Sequence, residues 1–331
     1  MDEHDAQGTL ESTVEDQPAV IDPPIRIPLH VRFWLSLKMG VVGRLLPVWA
    51  IGLALSLFVV YMLQNLIPPA TAETDGGLVL FIATAFVSLL FMYVDSTLGM
   101  GYGTTLTPIL IIMGYDPVKV VPALLVCQWL AGIVAGISHQ SAGNIDLSSD
   151  SIHLRVAMVL AACGVVGALI AVRVFISIDS NFQTMLIGSL VLIVGVIIYL
   201  TRGRRFHFSW RKIIVLGLIA SFNKGLSAGG YGPIVTGGQI LSGVGGRQAI
   251  GITALSEGLT CLVAVMAFLA SGAVHDLSVA YPLVVGAICS VPLSAYTVRK
   301  LTIRKLTTLI ASITIILGLA TIIKAAHMYS S

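Results

Sequence analysis

The chain reads as a succession of apolar runs, many of them near the ~20 residues that a helix needs to cross a bilayer. Runs near 45–66, 78–94, 104–113, 117–139, 152–177 and 181–200 are followed by a second set near 212–222, 233–242, 247–271, 278–298 and 306–325. Each set carries a glycine break inside apolar sequence, Gly101-Tyr102-Gly103 in the first and Gly230-Tyr231-Gly232 in the second. In the same register Thr107 meets Thr236, Gly114 meets Gly243, and Gln128 meets Glu257. Self-similarity at a fixed offset marks a duplicated unit. Interrupted hydrophobic segments at matching positions in two halves point to the binding site of a transporter.

Positive charge orients these runs. The segment before 45–66 carries Arg26, Arg32 and Lys38, whereas Ala70 to Gly77 after it has no Lys or Arg, which places the N-terminus in the cytoplasm. The basic connector Arg202-Gly203-Arg204-Arg205-Phe206-His207 must then also be cytoplasmic. It is so if 78–113 enters the membrane and returns as a hairpin, and not if that stretch makes one net crossing. Arg299, Lys300, Arg304 and Lys305 fall on the same side. The expected fold is an all-α polytopic membrane protein of two inverted repeats. Each has a Gly-rich broken helical hairpin and about three spanning helices, and one extra N-terminal helix precedes them.

The expected divisions are an acidic disordered tail over 1–24, an interfacial segment over 25–44, and the extra helix over 45–67. The first repeat spans 78–201, the basic cytoplasmic connector 202–211 and the second repeat 212–326. The tail has seven acidic residues and no Lys or Arg, and it lacks the basic start and apolar core of a cleaved signal peptide. With 56% apolar and 11% charged residues the chain has too little polar surface for a soluble protein of 331 residues. A net charge of +3 gives no reason to expect a nucleic-acid partner. Cys127, Cys163, Cys261 and Cys289 sit in apolar runs without CxxC spacing and read as packing residues. Gly132 and Gly136 form a small-residue packing face, Trp129 reads as packing, and Arg173 and Arg299 read as interfacial anchors. His139 and His275 have no partner at metal-ligand spacing, so neither a metal nor any other cofactor is expected.

Irregular backbone at membrane depth must be buried in protein or line a wet cavity, because its amides find no partner in lipid. Each break precedes a short apolar segment, beginning near Thr104 and Pro233. Thr104 or Thr105 suits a cap and Pro233 a first helical position. Free amides and the positive end of the helix dipole would then face the cavity, an arrangement suited to an anion. The competing reading is that the glycines only allow close helix packing.

The run Gly99-x-Gly101-x-Gly103, Thr107-Pro108 and Gly114-x-Asp116-Pro117 resembles the first-repeat motif of the sulfite exporter TauE/SafE family, also called the toluene sulfonate uptake permeases. Leu226-Ser227-Ala228-Gly229-Gly230 with Ala249-Ile250-Gly251-Ile252-Thr253-Ala254-Leu255 is similar to its second-repeat motif. The resemblance covers about 78–325 and implies an inner (plasma) membrane, multi-pass secondary carrier. Its cargo would be sulfite, an organosulfonate such as sulfoacetate, or a related sulfur-containing anion. Tyr102 and Tyr231 stand where the family pattern has a third glycine, which implies a pocket of different size.

The candidate substrate-binding residues are Gly101, Tyr102, Gly103, Thr104, Thr105, Gln128, Lys224, Gly230, Tyr231 and Gly232. Lys224 either contacts the substrate oxyanion, lies at the cytoplasmic interface, or pairs with Asp95, its counterpart in the first repeat. Glu257 is the candidate proton carrier, since burial disfavours a charged carboxyl, although no second acidic group is obvious beside it. The alternative is a hydrogen bond across helices. The tyrosines either close the site or donate to sulfonate oxygens. The expected partners are thus a small sulfur-containing anion, the lipid bilayer and a proton co-substrate, with room for a homo-oligomer. The alternative function is an ion channel using the GYG loops as a filter. That filter needs Thr-Val-Gly-Tyr-Gly after a pore helix, whereas here the run is Gly-Met-Gly-Tyr-Gly and a helix follows it. No Gly-x-Ser-x-Gly elbow or paired base suggests an enzyme.

Overall fold

The structure is a computed structural model. It describes residues 50–51, 53–58, 60–62, 78–201, 209–241, 244–274, 276–297 and 303–330. The tail, the interfacial segment, much of the extra helix, residues 202–208 of the connector, Gly243, His275, Arg299 and Lys300 lie outside the described residues.

From residue 78 onward every described regular element is a helix. The first half contains α1 (Leu78–Leu98), α2 (Tyr102–Ile112), α3 (Pro117–Ser141), α4 (Ile152–Ile176) and α5 (Ser180–Thr201). The second contains α6 (Trp210–Ser227), α7 (Tyr231–Leu241), α8 (Gly246–Ala270), α9 (Ala280–Thr297) and α10 (Ile303–Ser330). Among the described residues six helices are long and apolar enough to cross a membrane, in α1, α3, α4, α5, α8 and α10. Large apolar side chains stand exposed along them and along α6, including Phe86, Leu169, Ile170, Ile193, Ile219 and Ile323. Exposed apolar side chains of this kind suit lipid.

Local chemistry fixes the breaks. At the end of α1, Gly99 (φ 69°) and Gly101 (φ 129°) adopt backbone that residues with a Cβ resist. At the matching point after α6, Ala228 is left-handed (φ 54°) and Gly230 follows at φ 74°. The short helices begin at Tyr102 and Tyr231, two residues earlier than the threonine and proline signals suggested, so Pro233 is the third residue of α7. Helix α6 runs to Ser227, past the 222 expected from hydropathy, and carries Lys224 in its last turn. Asp116 caps α3, its Oδ1 accepting from the Val118 amide at 3.0 Å, with Pro117 at the first position.

The two breaks lock into one another. A Cβ on Gly103 would strike the Ala228 carbonyl group, with its carbon at 2.6 Å, and Gly229 Cα at 2.8 Å. A Cβ on Gly232 would strike the Gly99 carbonyl in the same way, with Met100 Cα at 3.0 Å. Thr107 Oγ1 donates to Ser227 O at 2.8 Å, and Thr236 Oγ1 donates to Gly99 O at 3.0 Å. Helices α3 and α8 pack antiparallel, Gly132 against Gly258, Gly136 against Leu255 and His139 against Gly251. Helices α5 and α10 are likewise antiparallel, with Gly188 against Ile322 and Gly195 against Ile315. The buried apolar residues form two clusters, one containing α2 with Tyr102 and the other containing α7 with Tyr231.

Overpacking at such contacts costs about 1–3 kcal/mol. Gly103→Ala and Gly232→Ala are therefore expected to lower the thermal midpoint of the purified protein. Gly237→Ala, which has open space at its Cβ, should not lower it. Equal midpoints for all three variants would contradict the interlock.

Candidate functional site

A polar layer lies where the breaks meet the long helices α3 and α8. Lys224 is fully buried. Its Nζ donates to Gln128 Oε1 and, at 2.5 Å, to Glu257 Oε1. Gln128 in turn donates from Nε2 to Ala228 O at 2.9 Å and to Leu124 O at 3.2 Å. One amide thus satisfies both the buried ammonium and the carbonyl freed by the second break. Lys224 is held by these two residues, which are repeat-equivalent, and it does not bond to Asp95.

Asp95 serves the first break. Its Oδ1 accepts from the Tyr102 amide at 3.0 Å, so a carboxylate of the protein itself occupies the start of α2. Asp95, Ser96, Gln128 and Glu257 also line a cavity of about 20 Å³, together with Met92, Ala131, Gly132, Ala135 and Ala254. That space holds about one water. Two carboxyl groups therefore border one cavity, with one lysine bonded to the second of them.

The two tyrosines differ. Tyr102 is buried, with its hydroxyl 2.8 Å from Ser88 Oγ and 3.1 Å from Cys127 Sγ; Ser88 Oγ also donates to Leu283 O at 2.6 Å. Tyr231 is equally buried, and its hydroxyl has no hydrogen-bond partner. Ser256 and Thr260 stand beside it but donate to backbone, to Thr253 O and Ser256 O.

Among the candidates named from sequence, the structure therefore brings together Lys224, Gln128 and Glu257. Gly101, Gly103, Thr104, Thr105, Gly230 and Gly232 build the interlocked breaks and do not line the cavity. Thr104 Oγ1 donates back to Gly101 O at 3.2 Å, and Gly101 O also accepts from the Thr105 amide at 3.0 Å. Sequence reasoning missed Asp95 as a companion of Glu257. The signal was present, because Asp95 and Lys224 have the same offset as Gln128 and Glu257. His139, which carried no assigned role, joins its Nε2 to Ser96 O at 3.2 Å and its Nδ1 to Asn144 Nδ2 at 3.0 Å. No group of residues suited to a metal ion occurs among the described residues.

An apolar exterior around a buried charged layer, carried on broken and spanning helices, defines a multi-spanning membrane protein. Residues 84–321 match the family model described as Sulfite exporter TauE/SafE. The chain belongs to that family, and is a membrane transporter. It is also 26% identical over 237 residues to the "probable membrane transporter protein YtnM" of Bacillus subtilis (strain 168), an alignment covering 66% of this chain and 75% of that protein. No solved structure matches the chain.

Removing one member of a buried ion pair costs about 3–5 kcal/mol because the other charge is left without its partner. Lys224→Met should therefore destabilise strongly, while Lys224→Met combined with Glu257→Gln should recover most of the loss. Thermal unfolding of Lys224→Met, Glu257→Gln and the double variant measures this coupling, and additive effects would show that the pair is not a unit.

Proposed function

We propose that the protein is a secondary transporter of the inner membrane that moves sulfite, an organosulfonate such as sulfoacetate, or a related sulfur oxyanion by alternating access. The observation that carries this reading is Lys224, a buried ammonium held by Gln128 and Glu257 at the junction of the two breaks. Buried cations in membrane proteins are costly and mark substrate or ion pathways. An incoming oxyanion would take the place of Glu257 on Lys224. The cavity holds about one water, so the described arrangement is closed to such an anion and must open to admit it.

The halves are read as inverted repeats. Equivalent helices α3 and α8 run antiparallel, as do α5 and α10, which is what inversion requires. The packing pairs also exchange between halves. Helix α4 packs on α6 as α9 packs on α1, and α8 packs on α4 as α3 packs on α9. The two hairpins then enter from opposite faces, with the N-terminus and the connector on the cytoplasmic side. Each interlocked break serves as a pivot rather than a filter, since the carbonyls of Gly99, Ser227 and Ala228 are bound by threonine and glutamine side chains. Glu257 is the proposed proton carrier, and the partnerless hydroxyl of Tyr231 is the tyrosine donor for a sulfonate oxygen.

Ligand binding raises apparent stability by mass action. Sulfite, sulfate, sulfoacetate and taurine, with acetate as control, are compared by thermal shift of the detergent-purified protein. Selective stabilisation by sulfur oxyanions is expected. It should be lost in Lys224→Met/Glu257→Gln and weakened in Tyr231→Phe but not in Tyr102→Phe. Stabilisation by potassium with no response to any anion would instead favour the channel.

A further inference from the structure

The polar layer contains more acid than base. Asp95 and Glu257 border the same cavity, and Lys224 is the cation bonded there. The other ionisable groups around Asp95 are the thiols of Cys127 on α3 and Cys261 on α8, the phenol of Tyr102 on α2, and the imidazole of His139 on α3, which donates from Nε2 to Ser96 O and accepts at Nδ1 from Asn144 Nδ2, the bonding of a neutral ring. Tyr231 faces Glu257 from α7. Helix α9, packed on α1, offers only tyrosines and Cys289, and Lys324 of α10 is committed to the Ile111 carbonyl at the end of α2. None of these groups supplies a second positive charge to the cavity. With both carboxyls ionised the empty site therefore carries one net negative charge.

A sulfonate group carries one permanent negative charge in the physiological range, and a simple alkanesulfonate such as methanesulfonate is a monoanion. Entering this layer alone, it would double the net negative charge in surroundings where unbalanced charge is expensive. One proton removes the difficulty. We propose that Asp95 and Glu257 form a carboxyl pair that takes up one proton as the anion engages Lys224, making transport of a monoanion electroneutral with one proton per anion. This rests on the anion-carrier reading above. The step balances. Glu257 gives up its bond to the Lys224 ammonium, an oxyanion oxygen accepts that bond, and the freed pair binds one proton from solution. The site's net charge is the same empty and loaded. Release on the other side returns the proton to solution and Glu257 to Lys224.

Asp95 also accepts from the Tyr102 amide, so a purely structural role must be separated from a coupling role. Asp95→Asn keeps an acceptor for that amide and removes the ionisable group, while Asp95→Glu restores it. The readout is proton uptake on titrating the full-length purified protein with methanesulfonate, by calorimetry in two buffers of different ionisation enthalpy. About one proton per anion is expected, with apparent Kd weakening about tenfold per pH unit as the pair is left unprotonated. Asp95→Asn and Glu257→Gln should bind methanesulfonate with uptake near zero and a flat pH profile, and Asp95→Glu should recover the uptake. A capping role alone predicts weaker binding in Asp95→Asn with the uptake unchanged. Wild-type binding without uptake, uptake that persists in Asp95→Asn, or no binding of methanesulfonate overturns the inference. If sulfite, sulfate, sulfoacetate and taurine also fail to stabilise the protein, the anion-carrier reading falls with it; if any of them stabilises it selectively, that reading stands.

Discussion

The constraint on which the structure depends is that backbone groups freed by a broken helix cannot be left bare where water is excluded. Each orphan in hydrocarbon costs several kcal/mol. The chain breaks two helices and must therefore find partners for the amides and carbonyls it releases. It finds them inside the protein. Asp95 takes the Tyr102 amide, Thr236 binds the Gly99 carbonyl, Thr107 binds the Ser227 carbonyl, and Gln128 binds the Ala228 carbonyl. Each break is thus completed by side chains at the same polar layer, and in three of the four cases the side chain comes from the opposite half. Neither half could satisfy its own break alone.

This mutual completion explains why small residues sit where they do. Gly103 and Gly232 lie within contact of the opposite break, and Gly132 and Gly258 let α3 and α8 approach along their lengths. That approach carries Gln128 and Glu257 to either side of Lys224. The lysine is paired because α6 continues for five residues past the last clearly apolar stretch, ending at Ser227. A helix that stopped at 222 would leave Lys224 in the break, with no fixed direction.

Much of the fold was legible in the sequence. Among the described helices, apolar runs gave most ends to within a few residues, because membrane helices are set largely by bilayer thickness, while α6 and α10 run further at their C-terminal ends. The glycine pairs gave the break positions, because left-handed backbone near φ 69° and 129° leaves few other residues. The site was legible only in part. Lys224, Gln128 and Glu257 stood out as polar residues in apolar surroundings, and these three meet. The glycines and threonines of the breaks stood out as well, yet they hold the backbone and leave the cavity to others. Asp95 lacked a distinguishing local signal, since an acidic residue before a glycine run also reads as a helix end. Its importance comes from the long-range packing of α1 on α8, which the chain does not display locally. The difference between the two tyrosines was equally hidden, because it turns on Ser88 and Cys127 facing Tyr102.

Duplication and divergence at this layer are best understood through charge. Asp95 and Lys224 occupy one position of the repeat, and Gln128 and Glu257 another. An exact duplicate would place two like charges, or two neutral groups, at each position. Two lysines would repel, two aspartates would have no cation, and two glutamines would leave any lysine with only a neutral acceptor. The sequence instead puts one acid and one base at the first position and one amide and one acid at the second. The amide is needed where a carbonyl must be bound, because Gln128 donates and accepts at once while a carboxylate only accepts. The acid is needed where the buried lysine must have a countercharge. Having diverged in this way, the two halves are no longer interchangeable at their centre. A layer whose helices correspond between the halves is therefore asymmetric in its chemistry, with the cation contributed by the second half and one of the two cavity-lining acids, Asp95, by the first.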